Sequence, residues 1–276
     1  VVGLSTFPLG WAAAADKKKQ KLLYFTRSVE FEHSVVRPGE DRMSHSGRIL
    51  IELGKKAGFE VECTKDGRVF DGDLDCYDAL VFYSCGDLFL PSVQKAPPMS
   101  SEGRKRLVAA VAAGKPFVGL HSSCYWGQKS APDDPYLAMV GGEFVSHGAQ
   151  QESAMKVVSP NFPGAEGLGD SFRLMDEWYA MKDFADNLHV ILVQETEGME
   201  GDMYQRPPFP ATWARMHGQG RVFFSSMGHR EDVWTNQTFQ QILLGGIAWA
   251  LGNVDADITP NIKDVTPKAE QLPDSE

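Results

Sequence analysis

The sequence predicts an α/β fold, with a mostly parallel sheet and helices on both of its faces. The first observation is a set of short apolar runs, rich in β-branched and aromatic residues, such as KLLYFT at 21–26 and DALVFYS at 78–84. Runs of this kind are typical of strands that are buried on both faces. The second observation is the order strand, helix, strand, strand, helix, strand, because such alternation favours a parallel sheet.

The first half of the chain supplies this alternation. After the strand at 21–26, apolar residues recur at helical spacing in SHSGRILIELGKKAG, residues 44–58, and FEVECT at 59–64 then alternates as a strand. A second helical pattern begins at Ser101. It ends before KPFVGLH, residues 115–121, which has the composition of another buried strand.

The second half adds four strands and a closing helix. The predicted strands are AMKVVS (154–159), HVILVQE (189–195), PATWARMH (210–217) and GRVFFSS (220–226). Because the last two flank GQG, they predict a hairpin. In NQTFQQILLGGIAWALG, residues 236–252, apolar side chains share one face, which predicts a helix. There is no internal repeat and the linkers are short, so a single domain is expected.

The two ends of the chain differ from this domain, which we place at residues 16–252. Residues 1–15 are apolar and end in alanines, which predicts the remnant of an export signal and a periplasmic or extracellular protein. An ordered N-terminal arm is the alternative. Residues 253–276 are acidic and contain prolines, which predicts an extended or disordered tail.

Composition argues against several classes of partner. The formal charge is −10, and Lys and Arg are scattered apart from KKKQK at 17–21, so nucleic acid is not an expected partner. Beyond the N-terminus no segment approaches the ~20 apolar residues of a membrane span, so no membrane association is expected after removal of the signal. A small molecule is the expected partner, and a homo-oligomer stays open.

The cysteines leave two alternatives. Four are present, namely Cys63, Cys76, Cys85 and Cys124, and they permit three fully paired connectivities. The pair closest in sequence is Cys63 and Cys76, so a disulfide there is one hypothesis. Buried free thiols are the other.

Histidines follow the predicted strands. In open α/β sheets, ligands bind outside the carboxyl ends of the strands. Five of the seven histidines lie at or just past an apolar run: His33, His121, His147, His217 and His229. Imidazoles gathered at one edge suit a divalent transition metal, or a general acid and base. Hydrogen-bonded structural histidines are the alternative. Asp87, which follows the strand at 78–84, is a further candidate for binding substrate.

The segment FVGLHSSC, residues 117–124, predicts a sharp turn at the end of a strand. A strand that turns into a helix through small residues holds one side chain exposed at the top of the sheet. Here that side chain is His121, which suits a metal ligand or a base. Ser122 follows at the predicted helix start, where backbone N–H groups favour an anionic group, and is a candidate for binding substrate. The alternative is that Ser122 and Ser123 only cap the helix.

Two further segments carry carboxylates. MDEWYAM, residues 175–181, places Asp176 and Glu177 directly before Trp178 and Tyr179, and an acid beside aromatic rings is typical of sugar-binding sites. A half-buried strand with its acids in water is the alternative. In GHRED, the two-residue spacing of His229 and Glu231 would let the acid orient the imidazole, with plain surface charge as the alternative.

In this order, the segments resemble the ThuA-like (trehalose-utilisation) family, a branch of the class I glutamine amidotransferase-like superfamily. The matching segments are FEHS, FVGLHSS, GGEFVSH, DEWY, PATWARMHGQGRVFFSSMGH and LLGGIAWALG, and they span about residues 21–252. The resemblance implies a flavodoxin-like sheet of the amidotransferase type. Amidotransferases, however, place a cysteine at the elbow, where this chain has His121. Glutamine hydrolysis through a thioester is therefore not expected, because imidazole cannot replace the thiolate.

The family is associated with the use of trehalose and related disaccharides through 3-keto sugars. The resemblance therefore implies a lyase or hydrolase that acts on 3-keto-disaccharides or glycosides, with a non-catalytic sugar-binding module as the alternative. In this hypothesis the catalytic residues are His33, His121, Glu177 and His229. The three histidines would hold a divalent metal such as Zn²⁺, or serve as an acid–base pair. Substrate would be bound by His147, Trp178, His217, Asp87 and Ser122, and no nucleotide cofactor is expected.

Overall fold

The structure is a computed structural model that describes residues 19–127 and 133–273. The export signal predicted at residues 1–15 lies outside the described residues. In chain order the strands are β1 (Gln20–Phe25), β2 (Phe59–Thr64), β3 (Ala79–Phe82), β4 (Phe117–Leu120), β5 (Glu143–His147), β6 (Gln151–Val157), β7 (Ser171–Asp176), β8 (Tyr179–Lys182), β9 (His189–Gln194), β10 (Phe209–His217) and β11 (Gly220–Ser225). The α-helices are α1 (His45–Ala57), α2 (Ser101–Ala112), α3 (Pro135–Val140), α4 (Glu231–Thr235), α5 (Gln237–Ala250) and α6 (Ile262–Val265).

Nine of these strands form one mixed sheet in the order β2-β1-β3-β4-β11-β10-β9-β6-β7. From β2 to β11 all neighbours are parallel, and from β11 to β7 all are antiparallel. The predicted α/β fold with helices on both faces is confirmed. The predicted hairpin is also present, since β10 and β11 pair from Thr212↔Ser225 to His217↔Gly220.

Two hydrophobic cores cover the two faces of the sheet. Alternate side chains of β1 point to opposite faces, so Leu22 belongs to one core and Leu23 to the other. The first core contains buried side chains of α1 and α5, and the second contains those of α2 and α3. Burial on both faces explains why β1, β3 and β4 are continuous apolar runs.

Local signals explain where the first helix begins and ends. Ser44 precedes α1, and its hydroxyl accepts a hydrogen bond from the backbone N–H of Gly47 at 3.1 Å. At the other end, Gly58 adopts the left-handed conformation, with φ of 88°, and its N–H bonds to the carbonyl of Gly54. The helix therefore ends where the sequence predicts.

The segment at 175–181 is divided between two sheets. β7 ends at Asp176, and β8 begins at Tyr179 in a separate two-stranded sheet with β5. In this small sheet His147 faces Tyr179. Glu177 therefore lies in the connection between two strands, not within one strand.

The described part of the tail has little regular secondary structure and contacts β9. The side-chain oxygen of Asn261 accepts the N–H of Val190 at 2.6 Å, and the carbonyl of Thr259 contacts His189 Nδ1 at 2.8 Å. Ile262, in the short helix α6, is buried in the core. An extended or disordered tail was predicted from composition, and long-range contacts of this kind are not visible in composition.

The four cysteines are free thiols in the structure, so the hypothesis of a disulfide between Cys63 and Cys76 is not supported, and the hypothesis of buried free thiols holds for two of the four. Cys85 and Cys124 are buried, Cys63 is half-buried and Cys76 is exposed. Among the described residues, no helix has both the length and the apolar character that crossing a membrane requires.

Candidate metal centre

The turn after β4 places His121 at the carboxyl edge of the sheet. Its φ of 44° lies in the left-handed region, which residues other than glycine seldom adopt. His121 Nδ1 lies 2.8 Å from the carbonyl oxygen of Ser226, which follows β11. Because a carbonyl can only accept, Nδ1 carries the proton and the lone pair of Nε2 is available. The turn thus holds both the position and the tautomer of this imidazole.

The element after this turn differs from the expected α-helix. His121–Cys124 form a single 3₁₀ turn, and α3 begins only at Pro135. The anion-binding helix start expected at Ser122 is therefore not present. Ser122 itself is fully buried, and its hydroxyl has no hydrogen-bond partner.

His33 reaches the same edge from the loop after β1. It is buried, and its Nε2 lies 3.3 Å from the hydroxyl of Tyr179. Its Nδ1 is also buried and has no hydrogen-bond partner. Burial, followed by the neighbouring His121 and His229, lowers the pKa of His33 well below its usual value, so the ring is neutral. A neutral imidazole is the form that binds metal ions.

A buried carboxylate holds the turn that carries His229. Asp176 Oδ2 accepts the N–H of Gly228 at 2.7 Å, and Oδ1 accepts the N–H groups of Arg230 and Glu177 at 3.2 and 3.0 Å. Gly228 has φ of 117°, a conformation that L side chains rarely adopt, so glycine is needed there. Its carbonyl in turn accepts the hydroxyl of Tyr83 at 3.1 Å. The turn is therefore fixed on both sides.

Glu177 completes a cluster of four side chains. Its Oε2 lies 3.0 Å from His229 Nδ1 and 3.7 Å from His121 Nε2, and these two nitrogens are 3.3 Å apart. One ligand atom from each of His33, His121, Glu177 and His229 lies within 4.8 Å of the other three. The four residues come from four separate segments of the chain.

The electrostatic setting keeps Glu177 ionised. Burial by itself raises the pKa of this carboxyl, but hydrogen bonds and positive charge from His121 and His229 outweigh burial and bring the pKa well below its usual value. The adjacent Asp176 behaves in the opposite way, because its deeper burial raises its pKa. The cluster therefore offers one carboxylate oxygen together with imidazole nitrogens.

These distances fit a divalent metal ion. A point about 2 Å from Glu177 Oε2, His121 Nε2 and His229 Nδ1 exists near the centre of their triangle, and about 2 Å is the length of Zn–N and Zn–O bonds. His33, with its unpartnered buried nitrogen, is the fourth candidate ligand. Imidazoles with one carboxylate suit Zn²⁺ and related transition metals better than Mg²⁺ or Ca²⁺.

Beside this cluster lies His147, at the end of β5. Its Nδ1 is 3.3 Å from Glu177 Oε1, and its side chain is 44% exposed. The imidazole stacks on the ring of Tyr179, with centroids 5.9 Å apart. His147 therefore lies between solvent and the carboxylate.

Three other predicted residues are placed differently from the expectation. Trp178 is fully buried and donates from Nε1 to the carbonyl of Gln151, so its ring is not open to a sugar. His217 lies at the opposite edge of the sheet, because β10 runs antiparallel to β11. Asp87 accepts the N–H of Phe89 at 3.0 Å within its own turn and has no contact with the cluster.

The acid that contacts His229 is also different. The spacing in GHRED suggested Glu231, but Glu177 occupies that position. The carboxylate of Glu231 instead receives a hydrogen bond from Ser34, which lowers its pKa. Glu231 is the first residue of α4, and its side chain there meets Ser34.

The sequence suggested Asp176 and Tyr179 only as parts of a sugar-binding segment, not in the positioning roles that the structure gives them. Both belong to the DEWY segment, so a signal for them was present. Tyr179 contacts two members of the cluster, since its ring lies 4.1 Å from that of His121 and its hydroxyl meets His33. Tyr83 and Ser226 were also missed, because each acts through contacts with residues distant in sequence.

The thiol of Cys124 is not arranged for nucleophilic catalysis. It is fully buried and bonds to the carbonyl of His121 at 3.3 Å. Burial raises the pKa of this thiol well above its usual value, and the protonated thiol is a poor nucleophile. Cys124 is therefore not placed to supply the thiolate that a thioester mechanism needs.

Comparisons with known proteins agree with the fold. A ThuA-like protein from Bacteroides uniformis superposes with a TM-score of 0.67 at 18% identity, covering 87% of this chain and 95% of its own. A ThuA-like protein from Parabacteroides merdae gives a TM-score of 0.64 at 18% identity, and the match covers 87% of this chain and 92% of that protein. The β-galactosidase of Rahnella sp. R3 gives 0.51 at 14% identity, covering 84% of this chain and 31% of its own. Identities this low show a shared fold alone.

Sequence comparison identifies the family. A search among curated proteins found no match. The family described as ThuA, trehalose utilisation, matches residues 21–250, which is most of the chain. The family name places the chain in the context of carbohydrate utilisation. The chain therefore belongs to the ThuA family.

Proposed function

We propose that this protein is a lyase or hydrolase that cleaves 3-keto-disaccharides or related glycosides with the help of a divalent metal ion. The observation that carries the proposal is the meeting of His33, His121, Glu177 and His229 at one edge of the sheet. The sugar substrate is taken from the family context. Action outside the cytoplasm, as expected from residues 1–15, is part of the proposal.

The ligand set supports a metal-assisted reaction. Glu177, His121 and His229 would hold the ion, with His33 as the fourth ligand. When bound, such an ion supplies Lewis-acid polarisation of a carbonyl oxygen. A site that buries a carboxylate without a bound ion is otherwise costly, because the charge has been removed from water.

The proposed chemistry is an elimination. A 3-keto group acidifies the C–H bond at C2 of the sugar. Loss of that proton to a base forms a double bond between C1 and C2, and the glycosidic C1–O bond breaks as the leaving oxygen takes a proton. His147 would orient the substrate, and its exposure and its contact with Glu177 Oε1 support this role. Without a metal, Glu177 would hold His229 at Nδ1, and Nε2 of His229 would accept the proton.

The test combines metal analysis with substitution of the cluster. Purified protein is loaded with Zn²⁺, and the bound metal and the turnover of 3-keto-glucosides are measured. We expect about one ion per chain, and at least 100-fold weaker metal binding in His229→Ala and His121→Asn. Asparagine is chosen at position 121 because it tolerates the left-handed backbone.

His217→Ala is the matched control, because this histidine lies at the opposite edge of the sheet. It should leave both metal binding and turnover unchanged. If the cluster variants bind metal as tightly as the wild type, the metal centre is refuted. Sugar binding without turnover would instead identify a non-catalytic binding module.

A further inference from the structure

We propose that Phe31 is the ring on which the sugar stacks, a role that the buried Trp178 does not have. This inference rests on the proposed function for the class of ligand. Phe31 is 57% exposed. Among residues 19–127 and 133–273 it is the single aromatic residue in the exposed class. An isolated exposed phenylalanine is common on protein surfaces, so its position must carry the argument.

That position is directly beside the cluster. The rings of Phe31 and His33 meet edge to face, with centroids 4.9 Å apart and an interplanar angle of 88°. His33 itself is buried and belongs to the candidate metal centre. A ligand that covers the exposed part of the Phe31 ring is therefore held next to the reactive groups.

The segment around Phe31 is held by contacts of residues 28, 29 and 32. The N–H of Val29 donates to the carbonyl of Cys85 at 2.8 Å, and the N–H of Ser28 donates to Gln94 Oε1 at 2.9 Å. The same glutamine donates from Nε2 to Glu32 Oε1 at 2.7 Å. These contacts restrain the segment that carries Phe31 before a ligand arrives, which limits the entropy lost on binding.

The neighbouring residues supply the polar contacts that a sugar needs. The carboxylate of Glu30 is exposed and accepts the hydroxyl of Tyr125 at 2.6 Å. Tyr125 in turn packs against Phe144, with centroids 5.2 Å apart. An exposed apolar ring in the same segment as an exposed carboxylate that accepts a tyrosine hydroxyl suits a pyranose, which has a face of C–H groups and a rim of hydroxyls.

The expected effect follows from the area of one ring face. Covering it removes on the order of 60 Å² of apolar surface from water, which corresponds to about tenfold in affinity. Phe31→Ala should therefore raise KM for 3-keto-glucosides about tenfold, with a smaller change in kcat. Phe31→Tyr should restore KM, because the ring face is kept. Bound Zn²⁺ should be the same in all three proteins.

The experiment measures kcat, KM and bound Zn²⁺ for the zinc-loaded proteins, and the dissociation constant of methyl glucoside by calorimetry. Leu272→Ala, another exposed apolar residue, is the control. The inference is overturned if Phe31→Ala stays within twofold of the wild type in both KM and affinity, or if the wild type binds no glucoside.

Calorimetry also separates this inference from the proposed function. If the wild type binds methyl glucoside but neither binds metal nor turns over 3-keto-glucosides, the proposed reaction fails. In that case a tenfold loss of affinity in Phe31→Ala still supports the stacking role.

Discussion

The carboxylate of Asp176 offers a quantitative test of how the centre is held together. Three backbone N–H groups, those of Glu177, Gly228 and Arg230, donate to its two oxygens. In Asp176→Asn, one oxygen can keep the bonds to Glu177 and Arg230. The new amide nitrogen then faces the N–H of Gly228, where a donor meets a donor.

The magnitude follows from these contacts. Leaving the Gly228 N–H without an acceptor costs about 1–3 kcal/mol, and loss of the charge weakens the other two bonds by about 1 kcal/mol in total. Part of this is offset, because burial raises the pKa of Asp176 and the variant no longer buries that charge. We expect a loss of about 2 kcal/mol in the free energy of unfolding, which lowers Tm by about 4–8 °C.

Urea and thermal unfolding at pH 7 measure this loss. Asp170→Asn makes the same chemical change at an exposed carboxylate and should stay within about 0.5 kcal/mol of the wild type. If Asp176→Asn behaves like this control, the three hydrogen bonds do not stabilise the turn. Asp176 would then not be the residue that positions His229.

Two further predictions concern the surroundings of the site. Tyr179→Phe removes the hydroxyl that contacts His33 but keeps the ring that packs on His121. We expect the affinity for Zn²⁺ to fall about 10-fold, and the Tm of the metal-free protein to stay unchanged. Equal Zn²⁺ affinity in the variant and the wild type would contradict a positioning role for this hydroxyl. Burial lowers the pKa of Lys65 to about 8 from 10.5. Between these pH values the unfolded chain binds more protons, so stability rises with pH. Urea unfolding at pH 7.5 and 10 should show that the free energy of unfolding of the wild type rises on the order of 3 kcal/mol through this group, and that Lys65→Met lacks this rise. An equal rise in both proteins would refute the lowered pKa of Lys65.

Several parts of the fold could be predicted from local patterns. The helix α1 is an example, because its apolar spacing, its Ser44 cap and Gly58 all lie within one short segment. The order of strands and helices in the first half is likewise a local property. Parallel pairing then follows, since the right-handed connection between parallel strands leaves few other arrangements.

Direction in the second half could not be predicted in the same way. The sequence of β10 shows that it is a strand, but its direction depends on its pairing with β9 and β11. His217 and His121 both follow an apolar run in the sequence. They lie at opposite edges of the sheet because β10 runs antiparallel to β11. The burial of Trp178 could not be predicted from the sequence either. β7 and β8 belong to different sheets, and the connection between them turns this side chain into the core.

The sequence by itself determined most strands and helices of the first half, the β10–β11 hairpin and the closing helix, and which strands end in a histidine, because these properties depend on neighbouring residues. Only the tertiary structure decided which of those histidines meet. It also selected Glu177 as the carboxylate among them and left Phe31 as the exposed ring beside them. The physical reason is that a site is made of distances between residues far apart in the chain, and these are set by strand pairing and core packing together.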